Sequence, residues 1–104
     1  MKINIFLDDV RDTPKNFHRC YWPEEVIEIL SSGKKIGILS LDHDLGDDNH
    51  GTGLTVLNWL EKKVFEDPDF PGMPEEIRIH SQNPVGVAKM KQAVNSIFYY
   101  ANVK

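Results

Sequence analysis

Acidic residues and histidines carry the chemistry this sequence offers. Asp8 and Asp9 are adjacent, Asp42 and Asp44 flank His43, and His80 precedes Ser81. Carboxylates brought together repel one another, and some stay protonated unless a cation lies among them. Aspartate oxygens suit hard divalent ions, and an added histidine nitrogen shifts the preference toward Mn²⁺ or Zn²⁺. Asp8, Asp9, Asp42 and Asp44 are therefore the expected metal ligands, with Mg²⁺ the first expected ion and Mn²⁺ the second. A single aspartate after a strand needs no such account, because aspartates start turns and cap helices. Four of them gathered at strand ends do need one.

The histidines extend this chemistry. A pair flanking a phosphate can supply a base and an acid, so His80 and His43, with Asp42, are the candidate catalytic residues. Each histidine can equally ligate metal or hydrogen-bond the carboxylate loops. His18 and His50 read as loop residues. Arg11 can clamp phosphate oxygens bidentately, or pair with Asp9 or Asp12. Ser81 and Asn83 can donate hydrogen bonds to a phosphate. Thr52 and Gly53 open a helix whose free N–H groups and dipole suit an anion. These five, Arg11, Ser81, Asn83, Thr52 and Gly53, are the expected substrate contacts.

Other chemistries lack their signatures. No Gly-x-Ser-x-Gly elbow surrounds Ser81, and neither a Walker loop nor a dinucleotide fingerprint occurs. Cys20 is the single cysteine, so no internal disulfide or CxxC zinc pair is available. The net charge of −4 opposes an extended nucleic-acid surface, which needs a basic face. It does not oppose a small phosphorylated ligand or an RNA end. No apolar run approaches membrane-spanning length, and the opening apolar stretch is too short for a signal peptide. The expected location is cytoplasmic. Oligomeric state is not readable.

Elements must bring these residues together. Residues 2–7 alternate polar and apolar side chains, as a strand with one covered face does. Residues 8–22 read as a long irregular loop. Pro23 with Glu24 and Glu25 starts a helix, and Gly33 suits its carboxyl end. Ile36 to Leu41 is apolar on both faces, as in a central strand. Leu54, Leu57, Leu60 and Val64 give a second helix over 53–66, with Thr52 able to cap it. Residues 76–81 form a third strand, and Pro84 opens a last helix reaching about Asn102. The β-α-β-α-β-α order over one domain, residues 1–104, predicts a parallel sheet in a three-layer α/β/α sandwich, strand order 1-2-3, with the last helix returning over the second face. All strands then end at one edge, where such sheets bind ligands.

Three ordered motifs spanning most of the chain, Leu7-Asp8-Asp9-x-Arg11-x-x-Pro14, Leu41-Asp42-His43-Asp44-Leu45-Gly46 and Ile79-His80-Ser81-x-Asn83-Pro84-x-Gly86, resemble the cyclic-phosphate-processing receiver-like family of phages and bacteria. The resemblance implies a reduced receiver/flavodoxin-like fold and a phosphoesterase role in RNA repair or cyclic-nucleotide handling, in a host cytoplasm where phage-encoded. It implies that Asp8 and Asp9 help hold Mg²⁺, that Asp42 is phosphoacceptor or ligand, and that Ser81 contacts phosphate. The chain departs from ordinary receivers in showing three clear strands rather than five, in offering no strand for their lysine, and in adding His43 and His80. The expectation is a metal-dependent phosphoesterase acting on cyclic phosphates. The alternatives are a degenerate receiver phosphorylated on Asp42, or a non-catalytic module binding a phosphorylated ligand or host protein.

Overall fold

The computed structural model of the chain describes residues 2–42, 51–80 and 84–102. Four parallel strands, β1 (Ile3–Leu7), β2 (His18–Cys20), β3 (Ile36–Leu41) and β4 (Glu76–Ile79), lie in the order β2-β1-β3-β4. Three helices accompany them: α1 (Pro23–Leu30), α2 (Gly53–Glu66) and α3 (Pro84–Asn102). The α/β class and the parallel receiver-like sheet are as expected, and β1, β3 and β4 keep the order read from sequence.

The segment read as loop between β1 and α1 contains a strand. His18, Arg19 and Cys20 pair in parallel with Ile5, Phe6 and Leu7. His-Arg-Cys has no apolar alternation, so the segment forms a strand through backbone pairing at a sheet edge, with Cys20 buried in the core. This addition changes the topology around β1. The chain leaves β1 toward β2 on one side, whereas from β2 it crosses to β3 and then to β4 on the other. The carboxyl ends of β1 and β3 therefore bracket the topological switch point, where open α/β sheets form a crevice.

One sheet face carries Ile5, Leu7, Cys20, Leu39 and Leu41, all fully buried. Against it pack Val26 and Leu30 of α1, Val56, Leu57, Leu60 and Val64 of α2, and Met90, Ala93 and Ile97 of α3, as one continuous cluster. The layering differs from expectation in the last helix, which lies beside α2 in this same layer rather than across the sheet. The composition of the second face explains the difference. It presents Asn4, Arg19, Ser40, Glu76 and Arg78 around two apolar side chains, Phe6 and Ile38, too polar a set to receive an apolar helix stripe. Among the described residues, Phe6 is covered there by Phe17, edge-on at 6.3 Å, and by His80.

The register between β1 and β3 shifts between Ile3 and Ile5. The Asn4 side-chain oxygen fills the gap in the ladder by accepting from the Ile38 amide at 2.9 Å. A Cβ at position 37 would stand 2.5 Å from that oxygen, so any larger residue there would push the Asn4 side chain aside.

Candidate functional site

Strands β1, β3 and β4 each deliver one ionisable side chain from the residue that follows them. Asp8 follows β1, Asp42 follows β3 and His80 follows β4. Backbone bonds continue the pairing one residue past each strand, with the Asp42 amide donating to the Leu7 carbonyl at 3.1 Å and the His80 amide to the Leu41 carbonyl at 3.0 Å. One ligand atom from each of Asp8, Asp42 and His80 lies within 4.8 Å of the others.

Asp8 is 1% exposed. Its Oδ1 accepts from the amides of Val10 (2.8 Å) and Arg11 (3.0 Å), an aspartate turn that folds the start of the following loop back on the carboxylate. Its Oδ2 meets His80 Nε2 at 3.1 Å and stands 3.8 Å from Arg11 Nε. Burial alone would raise this carboxyl, but the two amides and His80 together outweigh it and hold Asp8 below the ordinary carboxylate value. Asp8 is therefore ionised at neutral pH.

His80 is held on three sides. Its ring stacks on Phe6 at 4.5 Å between centroids and 7° between planes. Its Nδ1 lies 2.8 Å from Ser40 Oγ, and its Nε2 points to Asp8. Phe6 and Ser40 are register partners on β1 and β3, so one cross-strand pair forms the platform for the ring. Burial lowers its pKa and outweighs the upward pull of Asp8 and Asp42. The ring is neutral at neutral pH. Asp8 accepts only, so the proton of the neutral ring sits on Nε2, and Ser40 donates to Nδ1.

The other expected contacts fall out differently. Asp9 is half-buried and is not one of the three residues whose ligand atoms meet. Arg11 reaches the site edge with its side chain 47% exposed. At the start of α2, the Gly53 amide donates to the Asp42 carbonyl at 3.0 Å, and the Leu54 amide to the Thr52 hydroxyl at 3.1 Å. The Thr52 amide donates to Thr55 Oγ1. These amides are already engaged, so Thr52 and Gly53 anchor α2 to the site strand in the manner of a cap. A Cβ at Gly53 would stand 2.2 Å from the Asp42 carbonyl oxygen, which explains the glycine. His43, Asp44, Ser81 and Asn83 lie outside the described residues.

Sequence reasoning passed over Ser40 and Phe6. The available signal was a hydroxyl and an aromatic ring, each two residues before a site aspartate, in strands otherwise aliphatic on the core face.

The three residues suit a divalent cation. Two ligands each about 2.1 Å from a small ion are at most about 4.2 Å apart, so the group needs to contract by roughly half an ångström. Two oxygens and one imidazole nitrogen form a donor set for Mn²⁺ or Zn²⁺ as well as Mg²⁺. The Ser40 hydroxyl behind the imidazole is the kind of outer support that metal-bound histidines have.

The family model of the cyclic-phosphate processing receiver domain matches residues 3–96, which take in all four strands and most of the last helix. The chain belongs to that family. No curated protein and no solved structure matches it. In this cyclic-phosphate processing receiver domain, the residues that meet at the switch point come from each of the three motifs noted in the sequence.

Proposed function

We propose that the protein is a metal-dependent phosphoesterase that opens cyclic phosphates, either 2′,3′-cyclic ends of RNA or cyclic nucleotides. The convergence of Asp8, Asp42 and His80 from three strand ends carries this reading, and membership in the family supports cyclic phosphates as the substrate class. A divalent cation, Mg²⁺ or Mn²⁺, held by these three residues would supply positive charge against the phosphoryl oxygens and acidify an attacking water.

The chain's own residues prepare that chemistry. Asp8 arrives ionised and fixed, because two amides hold Oδ1 and leave Oδ2 facing the site. His80 presents Nε2 from a ring that Phe6 and Ser40 keep in place. Both of its nitrogens are engaged, so it suits holding better than shuttling, and in this reading proton transfer falls to His43, the neighbour of Asp42 in the chain. The Arg11 backbone is tied to Asp8, while its half-exposed guanidinium can turn toward a phosphate and stabilise charge as the ring opens. In this reading Ser81 and Asn83 contact the phosphate.

The test is ³¹P NMR of a panel of cyclic nucleotides with Mg²⁺ and with Mn²⁺. Ring opening is expected with at least one pair, lost in Asp42→Ala and in His80→Ala. Absence of product with every ion would sink the reading.

A second reading, phosphorylation of Asp42 as in a degenerate receiver, draws support from one observation. Asp42 is the less buried of the two carboxylates at the switch point. It predicts a phosphate-sized gain in intact mass after acetyl phosphate treatment.

A further inference from the structure

We infer that Ser40 is the positioning residue of the site, and that its hydroxyl reverses its hydrogen-bond role when His80 becomes a metal ligand. Ser40 sits on β3, 6% exposed, two residues before Asp42 and opposite Phe6. Its Oγ lies 2.8 Å from His80 Nδ1. In the metal-free protein the carboxylate of Asp8 requires a proton on Nε2, so Nδ1 accepts and Ser40 donates.

A cation bound through Nε2 takes the place of that proton. The neutral imidazole then carries its proton on Nδ1, the former acceptor. Ser40 Oγ must now accept, and a hydroxyl can do so by rotating about its Cβ–Oγ bond without moving a heavy atom. The proton that leaves Nε2 passes to solvent, and another arrives at Nδ1, so the ring stays neutral. Phe6 holds the ring plane throughout. A side chain able only to accept at this position would leave two acceptors facing one another in the metal-free state. One able only to donate would do the reverse in the bound state. An alanine would leave a part-buried ring N–H without its Ser40 partner in the bound state.

The metal half of this inference rests on the reading of the site as a cation centre, and the experiment keeps the two separable. Ser40→Ala and Ser40→Thr are compared with wild type by calorimetric titration of Mg²⁺, Mn²⁺ and Zn²⁺. The His80 ring nitrogens are followed by ¹⁵N NMR with and without the diamagnetic ions. In the metal-free wild type, Nε2 should carry the proton and Nδ1 should resonate as a hydrogen-bonded acceptor. A diamagnetic ion should move the proton to Nδ1. Ser40→Ala should shift Nδ1 to its unbonded position and weaken binding by about 10–100-fold, while Ser40→Thr, which restores the hydroxyl, stays within a few-fold of wild type.

Equal affinity in wild type and Ser40→Ala would overturn the inference, whatever the NMR shows. If the wild type binds no ion, the metal reading falls by itself. The Nδ1 signal then decides the positioning role: unchanged in Ser40→Ala, it refutes it.

Discussion

Replacing Asp8 separates the structural work of its two oxygens. In Asp8→Ala the amides of Val10 and Arg11 lose a charged acceptor at 2.8 and 3.0 Å, and His80 Nε2 loses its partner at 3.1 Å. Hydrogen bonds to charged groups contribute about 1.5–3 kcal/mol each, so the two amides alone represent a gross loss of roughly 3–6 kcal/mol. Two effects offset part of it. The carboxylate no longer has to be kept buried, and water can rebind amides in a turn whose Val10 is 81% exposed. A net loss of about 2–3 kcal/mol is expected in the metal-free protein. Asp8→Asn keeps an oxygen for the two amides and should lose only about 1 kcal/mol. Its amide nitrogen then faces Nε2, and His80 answers by carrying its proton on Nδ1, with Ser40 accepting. Urea denaturation followed by tryptophan fluorescence measures both variants. At a slope of about 1.5 kcal/mol/M, the Ala midpoint falls by roughly 1.3–2 M and the Asn midpoint by about 0.7 M. If Ala and Asn fall equally, or Ala stays within about 0.5 kcal/mol of wild type, the amide bonds do not hold the loop and the account of Asp8 is wrong.

Stability should fall on acidification in two stages. The folded pKa of His80 is depressed by burial, so its contribution is complete above the unfolded value of about 6.5 and is lost as pH falls through the lower folded value. Asp8 is also depressed in the fold, so its contribution is complete above about 3.9 and disappears as pH falls further, through its folded value. Denaturation of the metal-free protein across pH 7.5 to 3 reads both, and His80→Gln should abolish the upper stage and also move the lower one, because His80 helps hold the Asp8 carboxyl down. Gly53→Ala should lose about 1–3 kcal/mol, because its Cβ would drive the first turn of α2 off the Asp42 carbonyl and the Met90 methyl. A midpoint equal to that of wild type would show that the close approach is relaxed in solution.

Much of the fold was legible because its signals are local. Ile36 to Leu41 is apolar on both faces and became β3 with those bounds, and the stripe through Leu54, Leu57, Leu60 and Val64 became α2. β2 was not legible, since three residues paired by backbone alone leave no pattern in His-Arg-Cys. The side taken by α3 was not legible either. Its apolar stripe fits any apolar surface, and the decision rests with a second sheet face whose polarity emerges only when Asn4, Ser40 and Arg78 are seen as neighbours. Within the site, Asp8, Asp42 and His80 could be read from strand ends, whereas the partner of the histidine ring could not. Ser40 precedes His80 by 40 residues, and the two meet only across β3 and β4.

The two carboxylates at the switch point stand on different mechanical ground. Asp42 is bolted through its carbonyl to the first turn of α2, and that turn bears on α3 through Met90, so it shares the stiffness of the close-packed helical layer. Asp8 is gripped by the turn it belongs to and by His80, and its backbone is held only from the edge strand, its amide by the Cys20 carbonyl and its carbonyl by Arg19. A pull drawing the pair together would therefore displace the Asp8 turn against a stationary Asp42, much as a sprung jaw closes on a fixed anvil.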